Sequence, residues 1–369
     1  MRTVTTRLFA RDMAFCYTSQ LKPQGAACLS TLIPGAAAMK SDKRTFCPDC
    51  ETDWTRRHFV KAVGAAAFVA SAAPLVPSAS AVPTAGSTAE TAAKRLYDSL
   101  TESQRKEICF EFDHDLRTKI NANWAITKPN IAEFFSKEQQ ATIDEIFRGV
   151  TSPDGYERFL KQMDDDAGGF GEYHVALFGT PGSGKFEFEM TGRHMTIRAD
   201  GDSVENVAFG GPIIYGHGEG DGEAGLPGNV FYYQTKKANE VFAALDGKQR
   251  EKALLPKAPP ENQVPVQGAQ AAFPGIAVGE LSKDQQDLVE QVIKVILAPY
   301  RQEDVDEALA ILKAEGGLAK LHAAFYQTGN LGGDEEWDIW RLEGPGFVWH
   351  FRGSPHVHAY VNIARPKAT

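Results

Sequence analysis

Hydrophobic positions recur with two periods along this chain, one near 3.6 residues and one of 2, and the switches between them mark its elements. Four short stretches open the helical blocks with one design: an apolar residue, a capping residue, then a glutamine three positions on. They are Leu100-Thr101-Glu102-Ser103-Gln104, Phe135-Ser136-Lys137-Glu138-Gln139, Leu245-Asp246-Gly247-Lys248-Gln249 and Leu281-Ser282-Lys283-Asp284-Gln285. The capping oxygen accepts from a free amide of the first turn while the glutamine reaches back, so each stretch predicts a helix start. Apolar spacing behind two of them agrees, through Ile143, Ile146 and Phe147 and through Leu288, Val289, Val292, Ile293, Val295, Ile296 and Leu297. Further helices are predicted at 303–313 and 318–325. The capping residues lie 35, 110 and 36 residues apart, which reads as a shared capping motif rather than a repeat array.

Between the helical blocks the period falls to 2. Strands are predicted at 173–178 and 186–190 around a Gly/Pro-rich turn, then at 193–198, 204–209 and 213–215. The closing segment reads as a meander of 337–342, 347–352 and 356–363. Helix, strands, helices, strands in that order predict an α+β fold on antiparallel sheet.

The final hairpin carries the strongest chemical pattern. One face of 347–352 is Phe347, Trp349 and Phe351, and the other is Val348, His350 and Arg352. One face of 356–363 is Val357, Ala359, Val361 and Ile363, and the other is His356, His358, Tyr360 and Asn362. Apolar must meet apolar, because a one-residue slip mixes the faces. A three-residue loop, Gly353-Ser354-Pro355, satisfies that and predicts Arg352 opposite His356 and His350 opposite His358. Cross-strand Cβ atoms about 5 Å apart allow such imidazoles to share zinc, copper or iron. His194 joins them as a fourth candidate ligand, since Met195 and Ile197 mark the apolar face of its strand and leave His194 on the other. A polar sheet face or a hydrogen-bond network is the competing reading, and an aromatic sheet of Trp337, Trp340, Trp349 and Tyr360 holding a small or polymeric ligand is a third.

Composition narrows the classes. The formal charge is −9 with 43% apolar and 24% charged residues, which suits a soluble globular protein and argues against nucleic acid or anionic lipid as partner. Thr55-Arg56-Arg57-His58-Phe59-Val60-Lys61, an apolar run at 62–73 and Ala79-Ser80-Ala81 predict a twin-arginine export signal and cleavage site. The translocase is then a partner, and the working protein is periplasmic or secreted. That run is too short for a helix of roughly 20 residues, so no stable membrane span is expected. Residues 1–38 read as a mis-called start or unstructured extension, 39–81 as the signal, 82–94 as a flexible linker and 95–369 as one domain. Cys16, Cys28, Cys47 and Cys50 precede the cleavage site, so only Cys109 remains and no internal disulfide is expected.

Other motifs weaken on inspection. Gly179-Thr180-Pro181-Gly182-Ser183-Gly184-Lys185 resembles a phosphate loop, but Phe186 replaces the magnesium-binding Ser or Thr and a strand alternation follows, so no nucleotide is expected. His217, in a glycine-rich acidic stretch, is a candidate lid residue. Asp113-His114-Asp115 reads as a solvated cluster, His174 and His322 as packing histidines, and Glu187 or Glu189 as a candidate base or ligand.

On several of these residues the chain resembles the exported-protein family called domain of unknown function 3500, over most of 95–363. The resemblance rests on Phe112-Asp113 with Arg117 and Trp124, Phe178-Gly179-Thr180-Pro181, Gly192-Arg193-His194, Asp246-Gly247-Lys248-Gln249, and Gly344-Pro345 with His356-Val357-His358. Two positions depart from the pattern: Arg193, where the family commonly carries a second histidine, and Trp349-His350-Phe351. The resemblance implies His194, His356 and His358 as shared ligands ahead of His350, and it implies no established activity. The expectation is an exported protein with a histidine metal site, either an enzyme or a non-catalytic ligand- or metal-binding protein.

Overall fold

All four capping motifs start helices. Thr101, Ser136, Asp246 and Ser282 each accept from the amide three residues on, and the glutamine there bonds back to the cap's own N–H. The computed structural model describes residues 82–218, 228–330 and 336–366, so the expected leader, its four cysteines and its cleavage site lie outside the described residues. The first run of elements is α1 (Thr88–Ser99), α2 (Glu102–Ile108), β1 (Cys109–Phe110), α3 (Ile131–Phe134), α4 (Lys137–Val150), α5 (Pro153–Ala167), β2 (His174–Gly179), β3 (Phe186–Gly192), β4 (Met195–Ala199) and β5 (Ile213–His217). The second is α6 (Tyr233–Ala244), α7 (Gly247–Ala253), β6 (Leu254–Leu255), β7 (Ile276–Ala277), α8 (Lys283–Leu297), α9 (Gln302–Ala314), β8 (His322–Tyr326), β9 (Ile339–Gly344), β10 (Phe347–Arg352) and β11 (Val357–Ile363). The fold is α+β.

The two runs are the same unit twice. Strand order is β1-β2-β3-β4-β5-β11-β10-β9-β8-β6, a palindrome in which each half is a four-stranded antiparallel meander with a short parallel edge strand; the second half adds β7, antiparallel to β8. Thr101 and Asp246 stand 145 residues apart and Ser136 and Ser282 stand 146 apart, so the four caps are two pairs. In space each pair closes through two glutamines bonding reciprocally, Gln104 with Gln139 and Gln249 with Gln285. Ile131 N–H donates to Tyr173 O at 2.9 Å, and Val278 N–H donates to Leu321 O at 2.8 Å. The halves meet on a pseudo-two-fold axis, where Ile213 pairs its counterpart Val361 and Thr151 bridges Tyr300. The spacings that read as irregular are therefore an internal duplication whose loops differ in length.

Helices cover one face of the sheet. Phe186, Phe188, Met190, Ile197, Tyr215, Trp349 and Phe351 point into the core they share with α1, α4, α5 and α8. The opposite face is covered by loops, with Ala122, Ile214, Val264, Val348 and Tyr360 in one small cluster and Ile126, Ala176 and Phe178 in another.

Three expectations are corrected. Residues 88–94 are the start of α1, with Ala89, Ala92 and Ala93 fully buried; Ala89 lies against Gly149 of α4, where an added Cβ would stand 2.9 Å from the alanine's own. The segment 318–325 is a 3-10 turn leading into β8, since alternation from His322 to Tyr326 outweighs the short apolar run. Residues 204–209 form no strand and lead into a 3-10 turn at Ala208–Gly210. No helix among the described residues is long and apolar enough to cross a membrane.

Burial of acids sets a pH dependence. Burial raises Asp200 to about 7, with Glu187 adding, and raises Glu307 to about 8, with Asp200 and Asp304 adding. An unfolded chain ionises both near pH 4. Their contribution is thus complete below about pH 4 and is lost as pH rises through 7 and 8. Between pH 6.5 and 8.5 the chelated protein is expected to lose about 3 kcal/mol, measured by urea titration, and Glu307→Gln flattens that slope. A flat profile in the parent protein contradicts the assignment.

Candidate metal centre

The site is built on the loop-covered face, at the end of β5 and β11 nearest the β3–β4 turn. That turn is the two residues Arg193 and His194, because Gly192 pairs Met195. His194 takes φ 56°, the left-handed region that costs a non-glycine residue on the order of 1–3 kcal/mol and collects at functional sites. Its N–H donates to Ala122 O at 2.6 Å, which ties the turn to the covering loop. The conformation swings the ring over Gly216, where a Cβ would lie 3.3 Å from the His194 Cβ. Gly216 pairs His358 of β11, so His194 and His358 meet above the same strand pair.

His194, His356 and His358 form one group whose ligand atoms all lie within 4.8 Å of one another. The His194 ring centroid is 4.9 Å from each of the other two, and Nε2 of His356 is 2.9 Å from Nε2 of His358. Nitrogens around a tetrahedral zinc stand about 3.4 Å apart, as follows from Zn–N of about 2.0–2.1 Å. Carboxylates fix the tautomers. Nδ1 of His194 lies 2.7 Å from Asp166 at the end of α5, and Nδ1 of His358 lies 2.8 Å from Glu261 of the 256–275 loop. An ionised carboxylate only accepts, so each Nδ1 carries the proton and each Nε2 presents a lone pair to the centre. A carboxylate behind the imidazole is the usual support of a metal-bound histidine.

Burial and the paired carboxylates set the electrostatics of the group. Burial, with Arg352 and His194 adding and Glu261 opposing, holds His358 down at about 4. Burial works to raise Asp166 and Glu261, but the bonds and charge of their histidines outweigh it and keep both below the ordinary carboxylate range. Asp166 also accepts from Gln162 and from Gly218 N–H at 2.8 Å each. Arg352 donates to Glu261 at 3.1 Å and reaches His356 Nε2 at 3.3 Å.

The fourth candidate stands apart. Arg352 pairs His358 and His350 pairs Tyr360, a register two residues from the expected one. Gly353 is the reason: its N–H donates to Asp338 O at 2.6 Å, so the chain continues past Arg352 and turns later. The faces survive the shift of two, but His350 moves away from the group. It accepts from Arg341 Nε at 3.2 Å, and burial holds it down at about 3. Glu187 and Glu189 are fully buried and paired with Arg198, with Arg117 also on Glu187, so neither reaches the histidines. His217 is buried on the helix face with Nε2 2.9 Å from Asp165, and it accepts from Val230 N–H, which removes it as a lid residue; residues 219–227 beyond it lie outside the described residues. Trp340 and Trp349 sit in the helix-side core and cannot form a ligand-binding aromatic surface. The phosphate-loop look-alike is the β2–β3 turn, as its strand alternation predicts.

Asp166, Glu261, Arg352 and Arg193 join the site without a motif that marks them as site residues in the sequence. A signal existed for Asp166: Asp164-Asp165-Asp166 ends α5, where the helix dipole disfavours negative charge. Glu261 sits in a Pro-rich loop with no pattern to single it out.

The duplication shows the site to be a specialisation of one interface. By strand register, the counterparts of His194 and His358 are Gly346 and Gly210, so only one of two equivalent places carries imidazoles. No curated protein and no solved structure matches the chain. The cap residues, the β3–β4 turn with His194, and the His356-Val357-His358 strand all fall within residues 84–365, which match the family model described as protein of unknown function (DUF3500), and the chain belongs to that family.

Proposed function

We propose that His194, His356 and His358 hold one divalent transition ion, zinc, copper or iron, and that the protein is a metal-dependent enzyme acting outside the cytoplasmic membrane. The observation that carries this reading is the pair of carboxylate-backed imidazoles whose Nε2 lone pairs converge with His356. Three nitrogen ligands would leave room for water on the ion, and zinc held there would supply an acidified water of pKa about 7. The reaction class is metal-assisted attack by water on a small or polymeric substrate. The leader residues Arg56 and Arg57 support the location, since the twin-arginine route exports proteins folded and loaded.

Thermal melting of chelated protein tests the site. Zinc at a hundredfold excess over Kd is expected to stabilise the parent by about 2.7 kcal/mol and His358→Ala hardly at all. Equal stabilisation of both contradicts the assignment. A non-catalytic binding site is favoured by the burial of the His194 side chain, 4% exposed. A cobalt-loaded protein whose spectrum does not respond to pH or added anions, all positions being filled, supports that second reading.

A further inference from the structure

Two arginines flank the histidine group, and only one of them has a carboxylate to answer. Arg352 is engaged by Glu261 at 3.1 Å, yet its Nε is buried without a hydrogen-bond partner. Arg193 precedes His194 in the β3–β4 turn. Its Nε is also buried without a partner, and no carboxylate among the described residues pairs with its guanidinium. The head of Arg193 lies beside the histidines: a Cβ at Gly218 would stand 2.6 Å from Oδ1 of Asp166, a carboxylate already engaged by His194, Gln162 and Gly218, 3.1 Å from Arg193 Nη2 and 3.2 Å from His194 Cε1. Cε1 lies between the nitrogen bound to Asp166 and the one turned to the centre, so the guanidinium borders the coordination site.

Charge gives these positions a meaning. Imidazole is a neutral ligand, so three of them would leave the charge of a divalent ion uncompensated. Asp166 and Glu261 cancel no more than the two arginines. A buried N–H without an acceptor, as Nε is in both half-buried arginines, is costly unless something arrives to accept from it, and guanidinium forks match the oxygens of carboxylate and phosphate.

We propose that the site binds an anionic ligand, a carboxylate or phosphate group, with one oxygen toward the ion and the remainder received by Arg193 and Arg352. This rests on the metal reading above and assigns the substrate class to it. Arg193 is the discriminating group, because Arg352 also supports His358 through Glu261.

The test is isothermal titration of inorganic phosphate, and separately of acetate, into the full chain with and without one equivalent of cobalt. The loaded protein is expected to bind at least one of the two anions. Arg193→Gln is expected to weaken that binding at least tenfold at unchanged cobalt content, with Arg193→Lys recovering part of it. Unchanged affinity in Arg193→Gln, or neither anion bound by protein holding one cobalt, overturns the proposal. If the chain takes up no cobalt, the metal reading fails separately. The metal-free titration then decides: Arg193-dependent binding sustains the anion site, and none overturns it.

Discussion

Alanine at His358 is expected to lower zinc affinity by more than about a hundredfold, with Asp166→Asn costing about 10–100-fold. The two numbers differ for a structural reason. In the proposed centre His358 would supply a coordinating nitrogen, whereas Asp166 would act through His194 by fixing its tautomer and orientation at 2.7 Å. Asparagine keeps the volume and one hydrogen bond but removes the charge that keeps the proton on Nδ1. Glu261→Gln is expected to resemble Asp166→Asn, since it backs His358 in the same way at 2.8 Å. His350→Gln serves as the control, because its ring bonds Arg341 and lies outside the group. Competition against a chromophoric chelator reads all four. Equal losses in His358→Ala and His350→Gln contradict the site as drawn.

Arg301→Met is expected to destabilise the fold by about 3–5 kcal/mol, the second large effect. Arg301 sits between α8 and α9 in the second half and reaches α1 in the first. Its Nη1 and Nη2 donate to the two oxygens of Glu90 at 2.9 and 2.7 Å, and its Nε donates to Asp304 at 3.0 Å. Glu90 and Asp304 are 1% and 2% exposed, so removing the guanidinium strands two carboxylates out of water. The pair itself adds little over apolar residues of the same shape; breaking it is what costs. Arg301→Lys is expected to recover only part, because a single ammonium cannot copy the two-point bond to Glu90. Urea denaturation checks this, and a loss under about 1 kcal/mol shows the carboxylates are protonated or hydrated instead.

The legible parts of the sequence are those written locally. The four caps were readable because each bond lies within three residues. The strand faces of β10 and β11 were readable because a period of 2 leaves no choice of side. What was hidden depends on distance in the chain. The pairing of Gln104 with Gln139 and of Gln249 with Gln285 makes the duplication plain, yet the offset between halves drifts from 145 at Asp246 to 152 at Glu343. α1 read as linker because its buried face is alanine, which is also what an export leader is made of. The hairpin register lies two residues from the one a three-residue loop predicts because Gly353 bonds Asp338, the residue that leads into β9.

The site divides along the same line. His356 and His358 could be named from alternation and spacing; the strand alternation that points to His194 does not hold, since it sits in the β3–β4 turn and the strand begins at Met195. His350 was placed with them through a loop length that tertiary contacts overrule. The supporting carboxylates come from a helix end and a distant loop, 28 and 97 residues away from the rings they hold. Only folding brings them there.

Metal content decides the central claim. Protein purified from its native compartment without added metal or chelator is expected to carry close to one zinc, copper or iron per chain, falling to traces in His356→Ala/His358→Ala. Traces of every transition metal in the parent, or an ion retained by the double variant, contradict a metal centre at these three histidines.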